Sequence, residues 1–343
     1  MSNDVNTSKE SLPKISIIIP VKNEEANLER TVNSLLLQDY PNDSVELLII
    51  VAESSDKTAE IAQCLAQQHK RIRVYENPHS LSAAARNIGV KNARGDIIIF
   101  VDGHTYIDNN QLLQNTVLLM ESQGVSVLSR PQFLKTPYNG FFQNTVSLAR
   151  ESIIGHASDS TIYERQEAYV DPSSSGATYD REVFNTVGIF DENFDACEDV
   201  EFNFRVAQAG YRAFTSLKLG IYYIPRDSLW GFFKQMIRYG LGRSRLILKH
   251  RKSLNFVTLV PPLFTLAVHI LLGLSILDTF FAKGLLLVLI SYYSLILLFS
   301  IKISIRNGFR YLLTLPVVFT VIHLGLGYGF IWGLAKSIYK KNA

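Results

Sequence analysis

Asp102 and His104 stand two positions apart, directly after the apolar run Ile97-Ile98-Ile99-Phe100-Val101. A run of that kind reads as a strand buried on both faces, as found inside a parallel sheet. Ligands of open α/β sheets bind outside the carboxyl ends of the strands. There Asp102 and His104 can point to one side and share a divalent cation. The spacer, Gly103, lets a bulky ligand approach the backbone. The expectation is a site for a metal ion and a diphosphate. The competing reading is a strand that stops in a polar turn, and the surroundings must decide.

The elements that would hold this pair alternate in type. Residues 15–19 read as a strand ended by Pro20. Residues 24–38 carry Leu28, Val32, Leu35 and Leu36 at helical spacing, with Glu24 and Glu25 in a first turn where the helix dipole favours acids. Strands are expected at 45–51, 71–75 and 96–101. Helices are expected at 57–69 and at 81–93, the latter rich in small residues. Ile61, Cys64, Leu65 and Gln68 fall on one side of the 57–69 helix, which makes Cys64 a core residue. Such alternation means βαβ units, a parallel sheet and right-handed crossovers. Further on, 111–122 and 125–129 continue the pattern. Residues 136–172 look irregular apart from a helix near 141–151. Residues 179–186 look helical, with Gly188 as a stop. A helix over 199–209 ends at Gly210, and 219–224 reads as a strand. No repeat or low-complexity stretch is visible.

The charge is unevenly spread. The 343 residues hold 34 Lys and Arg against 31 Asp and Glu, yet residues 256–343 hold seven basic residues and one acid. The positive balance belongs to the tail, and nothing suggests a nucleic-acid partner. Two cysteines far apart, Cys64 and Cys197, suit a reducing compartment without a disulfide. Residues 1–13 are polar and read as a disordered lead-in, not a signal peptide. Three segments, 256–277, 280–301 (uncharged from Gly284) and 311–335, are long and apolar enough to span a membrane. Lys249, Arg251 and Lys252 before the first, and Lys302, Arg306 and Arg310 after the second, favour the cytoplasm. Two crossings satisfy that rule. A third would carry Lys336, Lys340 and Lys341 outside, so either 311–335 folds back as a hairpin or re-entrant piece, or the rule fails here. Residues 229–252 mix Trp230, Phe232, Phe233 and Ile237 with Lys234, Arg238 and Arg245, as does a helix lying in the bilayer interface. A linker helix on a soluble domain is the other reading.

Five stretches in order carry a resemblance. They are Ile17-Ile18-Ile19-Pro20-Val21-Lys22-Asn23-Glu24, then Val51-Ala52-Glu53-Ser54-Ser55-Asp56, then Ala85-Arg86-Asn87-Ile88-Gly89, then Asp102-Gly103-His104, and Cys197-Glu198-Asp199-Val200-Glu201. With them, residues 14–245 resemble a family 2 glycosyltransferase of the GT-A fold. The tail makes the chain most similar to membrane-anchored enzymes of the succinoglycan-biosynthesis type.

The resemblance implies a Rossmann-like, mostly parallel α/β catalytic domain over 14–228, the interfacial helix over 229–252 and a transmembrane region over 256–336. It implies an inverting, metal-dependent transfer of a sugar from a nucleotide diphosphate donor, a UDP-sugar by preference, to a lipid-linked or growing polysaccharide acceptor. The expected place is the cytoplasmic face of the cell membrane. Pro20, Val21, Glu24, Asp56, Arg86 and Asp102 are then the donor-binding residues. Glu24 reads equally as a helix N-terminal acid, and Asp56 also as a cap of the following helix. Ala52 stands where the family shows a first acid, which weakens the preference for uracil. Asp102 and His104 would hold Mn²⁺ or Mg²⁺, with the donor diphosphate supplying much of the coordination. Asp199 would be the general base, because a sugar hydroxyl must lose its proton as it attacks. Gly176, in a serine-rich version of the acceptor loop, and Glu198 would lie on the acceptor side. So would Gln235, Arg238 and Tyr239, in a variant of the family's Gln-x-x-Arg-Trp motif. Two alternatives stay open: transfer to a polyprenyl phosphate, and an inactive membrane scaffold that binds nucleotide sugar.

Overall fold

The computed structural model describes residues 12–156 and 160–342. Most of the expected lead-in, residues 1–11, lies outside the described residues. The strands are β1 (Ile15–Val21), β2 (Val45–Ala52), β3 (Ile72–Asn77), β4 (Ile97–Phe100), β5 (Thr105–Tyr106), β6 (Val127–Ser129), β7 (Gln132–Phe133), β8 (Ala168–Val170), β9 (Gly176–Asp180), β10 (Ala213–Thr215) and β11 (Ile221–Tyr223). The helices of the amino-terminal part are α1 (Leu28–Leu36), α2 (Thr58–Gln68), α3 (Ser82–Asn92), α4 (Leu112–Gln123), α5 (Phe141–Arg150), α6 (Pro172–Ser175), α7 (Arg181–Val187) and α8 (Glu198–Gln208). The tail consists of α9 (Leu229–Lys249), α10 (Phe256–Leu274), α11 (Thr279–Asn307) and α12 (Thr314–Asn342).

β-Branched residues fill β1, β2 and β4, which suits strands covered on both sides. Their order in the main sheet is β3-β2-β1-β4-β9-β6-β10-β8. The first four run parallel, β9 and β8 run against them, and β6 and β10 are parallel to each other. β5, β11 and β7 form a small second sheet. Alternation along β1 sends Ile15, Ile17 and Ile19 to one core with α1, α2 and α4, and Ile18 to another with α3, α7 and α8. The result is a three-layer α/β domain, the fold class expected from the sequence.

Several local expectations need correcting. β1 runs through Pro20 to Val21, because β4 pairs with β1 only as far as Ile18 and the missing N–H costs no bond on that flank. α1 begins at Leu28, so Glu24 and Glu25 precede it and Glu29 is its first-turn acid. Tyr179 belongs to β9, where its ring is buried, and the helix starts only at Arg181. α2 buries Thr58, Ala62 and Leu65, one step round the helix from the expected face, and Cys64 is exposed.

The tail also differs. α12 is one unbroken helix, not a hairpin. It runs alongside α9 in the same direction: Gly325 meets Met236, Gly329 meets Ile237 and Gly333 meets Ser244. A Cβ on Gly329 would collide with the Ile237 carbonyl, and one on Gly240 with the Leu326 carbonyl. Small residues let the two backbones approach closely. The opposite side of α9 touches the amino-terminal domain. Gly242 lies against the Ala196 carbonyl, Arg238 donates to the Asp195 carbonyl at 2.7 Å and Arg245 to that of Asn193 at 2.9 Å. So α9 is not a loose linker: it is held on both sides. α10 and α11 bury only 11% of their apolar spans and are long and apolar enough to cross a membrane. Replacing Gly329 by Leu should separate α9 from α12 and cost about 1–3 kcal/mol, read as a lower thermal midpoint in detergent. Gly273→Ala, at a position with nothing within 4 Å of the added carbon, should leave the midpoint unchanged.

Candidate active site

β1 has β2 on one side and β4 on the other, so successive connections leave in opposite directions. A crevice opens at such a switch point, past the carboxyl ends of the strands. Here it is a cavity of about 1170 Å³. Pro20, Val21 and Glu24 line it from β1, and Asp102 and His104 from β4. Arg86, Gly176, Glu198, Asp199, Gln235, Arg238 and Tyr239 line it too. Asp56 is the one expected site residue outside this lining. Burial raises its pKa, but the Thr58 hydroxyl and the backbone N–H groups of Glu25 (3.1 Å) and Thr58 (3.0 Å) donate to its carboxylate and hold it below its ordinary value. It therefore shapes the loop after β1.

His104 is held from behind. Its Nδ1 lies 2.9 Å from Glu24 Oε1, and its ring meets the Tyr223 ring edge-on at 4.7 Å. Gly103 makes this possible: a Cβ there would sit 2.6 Å from Val21 Cγ1 and 3.3 Å from Glu24 Cγ. The glycine thus admits the loop after β1, in place of the ligand expected from the sequence. The Thr31 hydroxyl of α1 lies 2.9 Å from the Gly103 carbonyl and steadies the same turn. His104 Nε2 is buried with no hydrogen-bond partner. A carboxylate behind one ring nitrogen and a vacant second nitrogen is how a metal-ligating histidine is set. Burial opposes a charge on this ring, but Tyr223, Glu24 and Asp102 outweigh it and push its pKa up to about 10. A cation bound here would take the place of the ring proton; with Glu24 behind Nδ1 and Nε2 unpartnered, Asp102 and His104 are the residues that would hold a divalent cation. No cluster of three or more His, Cys, Asp or Glu side chains suited to a metal exists among the described residues, so two ligands are what the chain offers.

Arg86 joins the two halves of the site. Its Nη2 lies 3.3 Å from Asp102 Oδ1 and its Nε 3.3 Å from Glu198 Oε1. Its guanidinium lies over Phe100, 5.1 Å from the ring centroid. Glu198 opens α8 after Cys197, which takes the left-handed conformation (φ 61°). Burial first, then Asp199, raise the Glu198 carboxyl above its ordinary pKa, while Arg86 pulls the other way. Asp199, next in the chain, is exposed in the cavity and makes no ion pair among the described residues. Of the pair, Glu198 is buried against Arg86 and Asp199 is the one exposed to the cavity.

On the far wall, Gln235 Nε2 donates to the hydroxyls of Tyr223 and Tyr239, both at 3.1 Å. Arg238 is turned to Asp195. Gly176 has no room for a side chain beside Asn203, whose Nδ2 donates to its carbonyl at 3.0 Å. Three lining residues were missed from the sequence. Arg130 is buried behind Asp102, Tyr223 backs His104, and Arg150 touches Tyr223. Only Arg130 had a usable signal, its position just past the end of a strand.

Comparisons with known proteins give the family and the fold. A family described as Glycosyl transferase family 2 matches residues 16–188. Succinoglycan biosynthesis protein ExoA of Rhizobium meliloti (strain 1021) is 32% identical, over 76% of this chain and 77% of that protein. A Methanococcus voltae protein is 28% identical, over 94% of this chain and 98% of its own length. It is named dolichyl N-acetyl-alpha-D-glucosaminyl phosphate 3-beta-D-2,3-diacetamido-2,3-dideoxy-beta-D-glucuronosyltransferase. The solved structure of mannosyltransferase PcManGT from Pyrobaculum calidifontis, in complex with GDP-Man and Mn²⁺, has the same fold. It aligns with TM-score 0.62 at 18% identity, over 94% of this chain and 88% of that one.

α8 is anchored at its middle. Glu201 is fully buried and meets Arg205 (3.0 Å), Lys249 (2.7 Å) and His250 (2.9 Å), the last two from the end of α9 and beyond. Burial raises its pKa, but these partners prevail and hold it below the ordinary value of 4.5. A depressed carboxylate contributes stability above its unfolded pKa and loses it as pH falls through the folded one. Glu201→Gln should therefore lower stability by about 1.5–3 kcal/mol at pH 7. In thermal melts from pH 7 down to pH 4, the gap from the unsubstituted protein should narrow below about pH 4.5.

Proposed function

The chain belongs to glycosyl transferase family 2 and is a glycosyltransferase, and we propose that it moves a sugar from a nucleoside diphosphate donor to a hydroxyl of a lipid-linked or growing polysaccharide acceptor, with inversion. One observation carries this reading. An exposed carboxylate, Asp199, faces the same cavity as the Asp102–His104 pair, and Arg86 spans the distance between them. The names of the two curated relatives support the acceptor class, one referring to a dolichyl-linked sugar phosphate and the other to succinoglycan. A UDP-sugar is the donor assigned here.

The donor lies over the loop that leaves Pro20 and Val21. Asp102 and His104 would hold Mn²⁺ or Mg²⁺, which when bound offsets the charge developing on the leaving diphosphate. Glu24 orients His104 for that task. Arg86 fixes the Asp102 carboxylate and keeps Glu198 anchored, so that Asp199 projects to the acceptor. The acceptor hydroxyl oxygen attacks the anomeric carbon as the bond from that carbon to the diphosphate oxygen breaks. Its proton passes to Asp199, and the nucleoside diphosphate departs. One displacement with a general base gives inversion without a covalent intermediate. Gln235 and Tyr239 border the acceptor path.

We place the catalytic domain at the cytoplasmic face of the cell membrane. Lys249, Arg251 and Lys252 precede α10, and Lys302 and Arg306 end α11, which suits two crossings. Because α12 follows α9 side by side, it rests at the interface with α9 and does not cross. This keeps Lys336 on the same side as Lys249 and removes the conflict with the charge rule. A fluorescent protein fused after Ala343 should then fluoresce in cells, and alkaline phosphatase fused there should be inactive; the reverse pattern would assign a third crossing.

The mechanism is tested at Asp199. Asp199→Asn should lower transfer by about 10²–10⁴-fold and leave metal-dependent UDP-sugar binding unchanged. Full activity in this variant would remove the base from the mechanism. Substantial residual activity with a polyprenyl phosphate, which is already anionic, would move the acceptor to that class.

A further inference from the structure

The cavity does not stop at the transfer site. It continues between α9 and the apolar helices, where Pro261, Phe264, Ile296 and Leu326 line it. Arg150, the last residue of α5, lines it as well. Its guanidinium lies over two rings, 5.4 Å from the centroid of Tyr163 and 5.6 Å from that of Tyr223. Its Nη1 is buried without a hydrogen-bond partner. The ion pairs among the described residues leave Arg150 out. A buried cation is costly without an anion, and aromatic faces return only about 0.5–2 kcal/mol. Arg86, which serves the donor side, already has Asp102 and Glu198. Arg150 thus has no carboxylate partner among the described residues, and an anion entering the cavity would supply one.

We propose that Arg150, with the hydroxyls of Tyr163 and Tyr239 beside it, binds the phosphate of a long-chain lipid acceptor whose hydrocarbon tail enters the apolar end of the same cavity. This assignment rests on the transferase reading above. The depth is right for a lipid phosphate. Val146, Leu148 and Ala149 of α5 share a core with Phe232, Met236 and Leu315 of α9 and α12, so α5 ends where the water-soluble domain meets the apolar helices. Arg150, Tyr239 and Asp199 line the same cavity, and the Tyr239 carbonyl lies 3.7 Å from the Cys197 thiol, directly ahead of Glu198 and Asp199. A sugar joined to that phosphate would extend from Arg150 toward Asp199.

The test uses the full chain in non-ionic detergent, with four probes: undecaprenyl phosphate, undecaprenol, inorganic pyrophosphate, and UDP with Mn²⁺. The unsubstituted protein should bind undecaprenyl phosphate more tightly than undecaprenol or pyrophosphate. Arg150→Met should weaken that binding by about ten- to a hundredfold and leave UDP with Mn²⁺ unaffected. Tyr163→Phe should weaken it by a smaller factor, and Arg150→Lys should recover part of it, so the test survives if Arg150→Met does not fold. Unchanged lipid-phosphate affinity in Arg150→Met, or in both other variants, would overturn the proposal. Equal affinity for undecaprenol would overturn it too. Selective loss of UDP binding in Arg150→Met would hand Arg150 to the donor. A protein that binds the lipid phosphate but never UDP would sink the donor reading and leave this site standing.

Discussion

The site depends on one guanidinium. Arg86 comes from α3, and its two acidic partners come from the end of β4 and the start of α8. A nearly buried arginine is tolerable only when its charge is matched and its N–H groups are used. Asp102 and Glu198 meet that demand together, and Phe100 and Phe190 supply the faces it rests on. The cost of leaving this cation unpaired keeps strand end and helix start in register. It also divides labour between adjacent acids. Glu198 is spent on Arg86, which leaves Asp199 available for chemistry.

Around that pairing the sheet supplies direction and the tail supplies a floor. The switch between β1 and β4 opens the crevice where two loops diverge from neighbouring parallel strands. α9 closes the crevice from below and is gripped from both sides, by the segment before α8 and by the glycine-lined face of α12. Glu201 adds a third grip through Lys249 and His250. The cavity and the tail are thus joined through α9, which packs on the amino-terminal domain on one side and on α12 on the other.

Much of this was legible in the sequence, and the failures have physical reasons. Ile97 to Val101 announce a doubly covered strand, and the Asp and His at its end do line the crevice. The order of motifs brought Arg86, Asp102, His104 and Asp199 to one cavity without any knowledge of contacts. Gly103 was misread because its neighbour is the loop carrying Glu24, some 80 residues away in the chain. Cys64 was misplaced because α2 leans on the sheet through Ala62 and Leu65, a turn of about 100° that periodicity alone does not fix. Tyr179 sits in a strand despite helical neighbours, since β4 and β6 both pair with it. Arg150 was invisible because its meaning comes from what it lacks, and an absent partner leaves no mark in a sequence.

The two cysteines now differ in kind. Cys197 is buried at the head of α8, and burial lifts its thiol to about 12, so almost none is present as thiolate near neutral pH. Cys64 is exposed on α2, away from the cavity lining. A maleimide dye or spin label offered to the native chain would therefore attach at a single point. The unaltered protein carries its own spectroscopic handle on α2, outside the cavity, with no engineered residue needed.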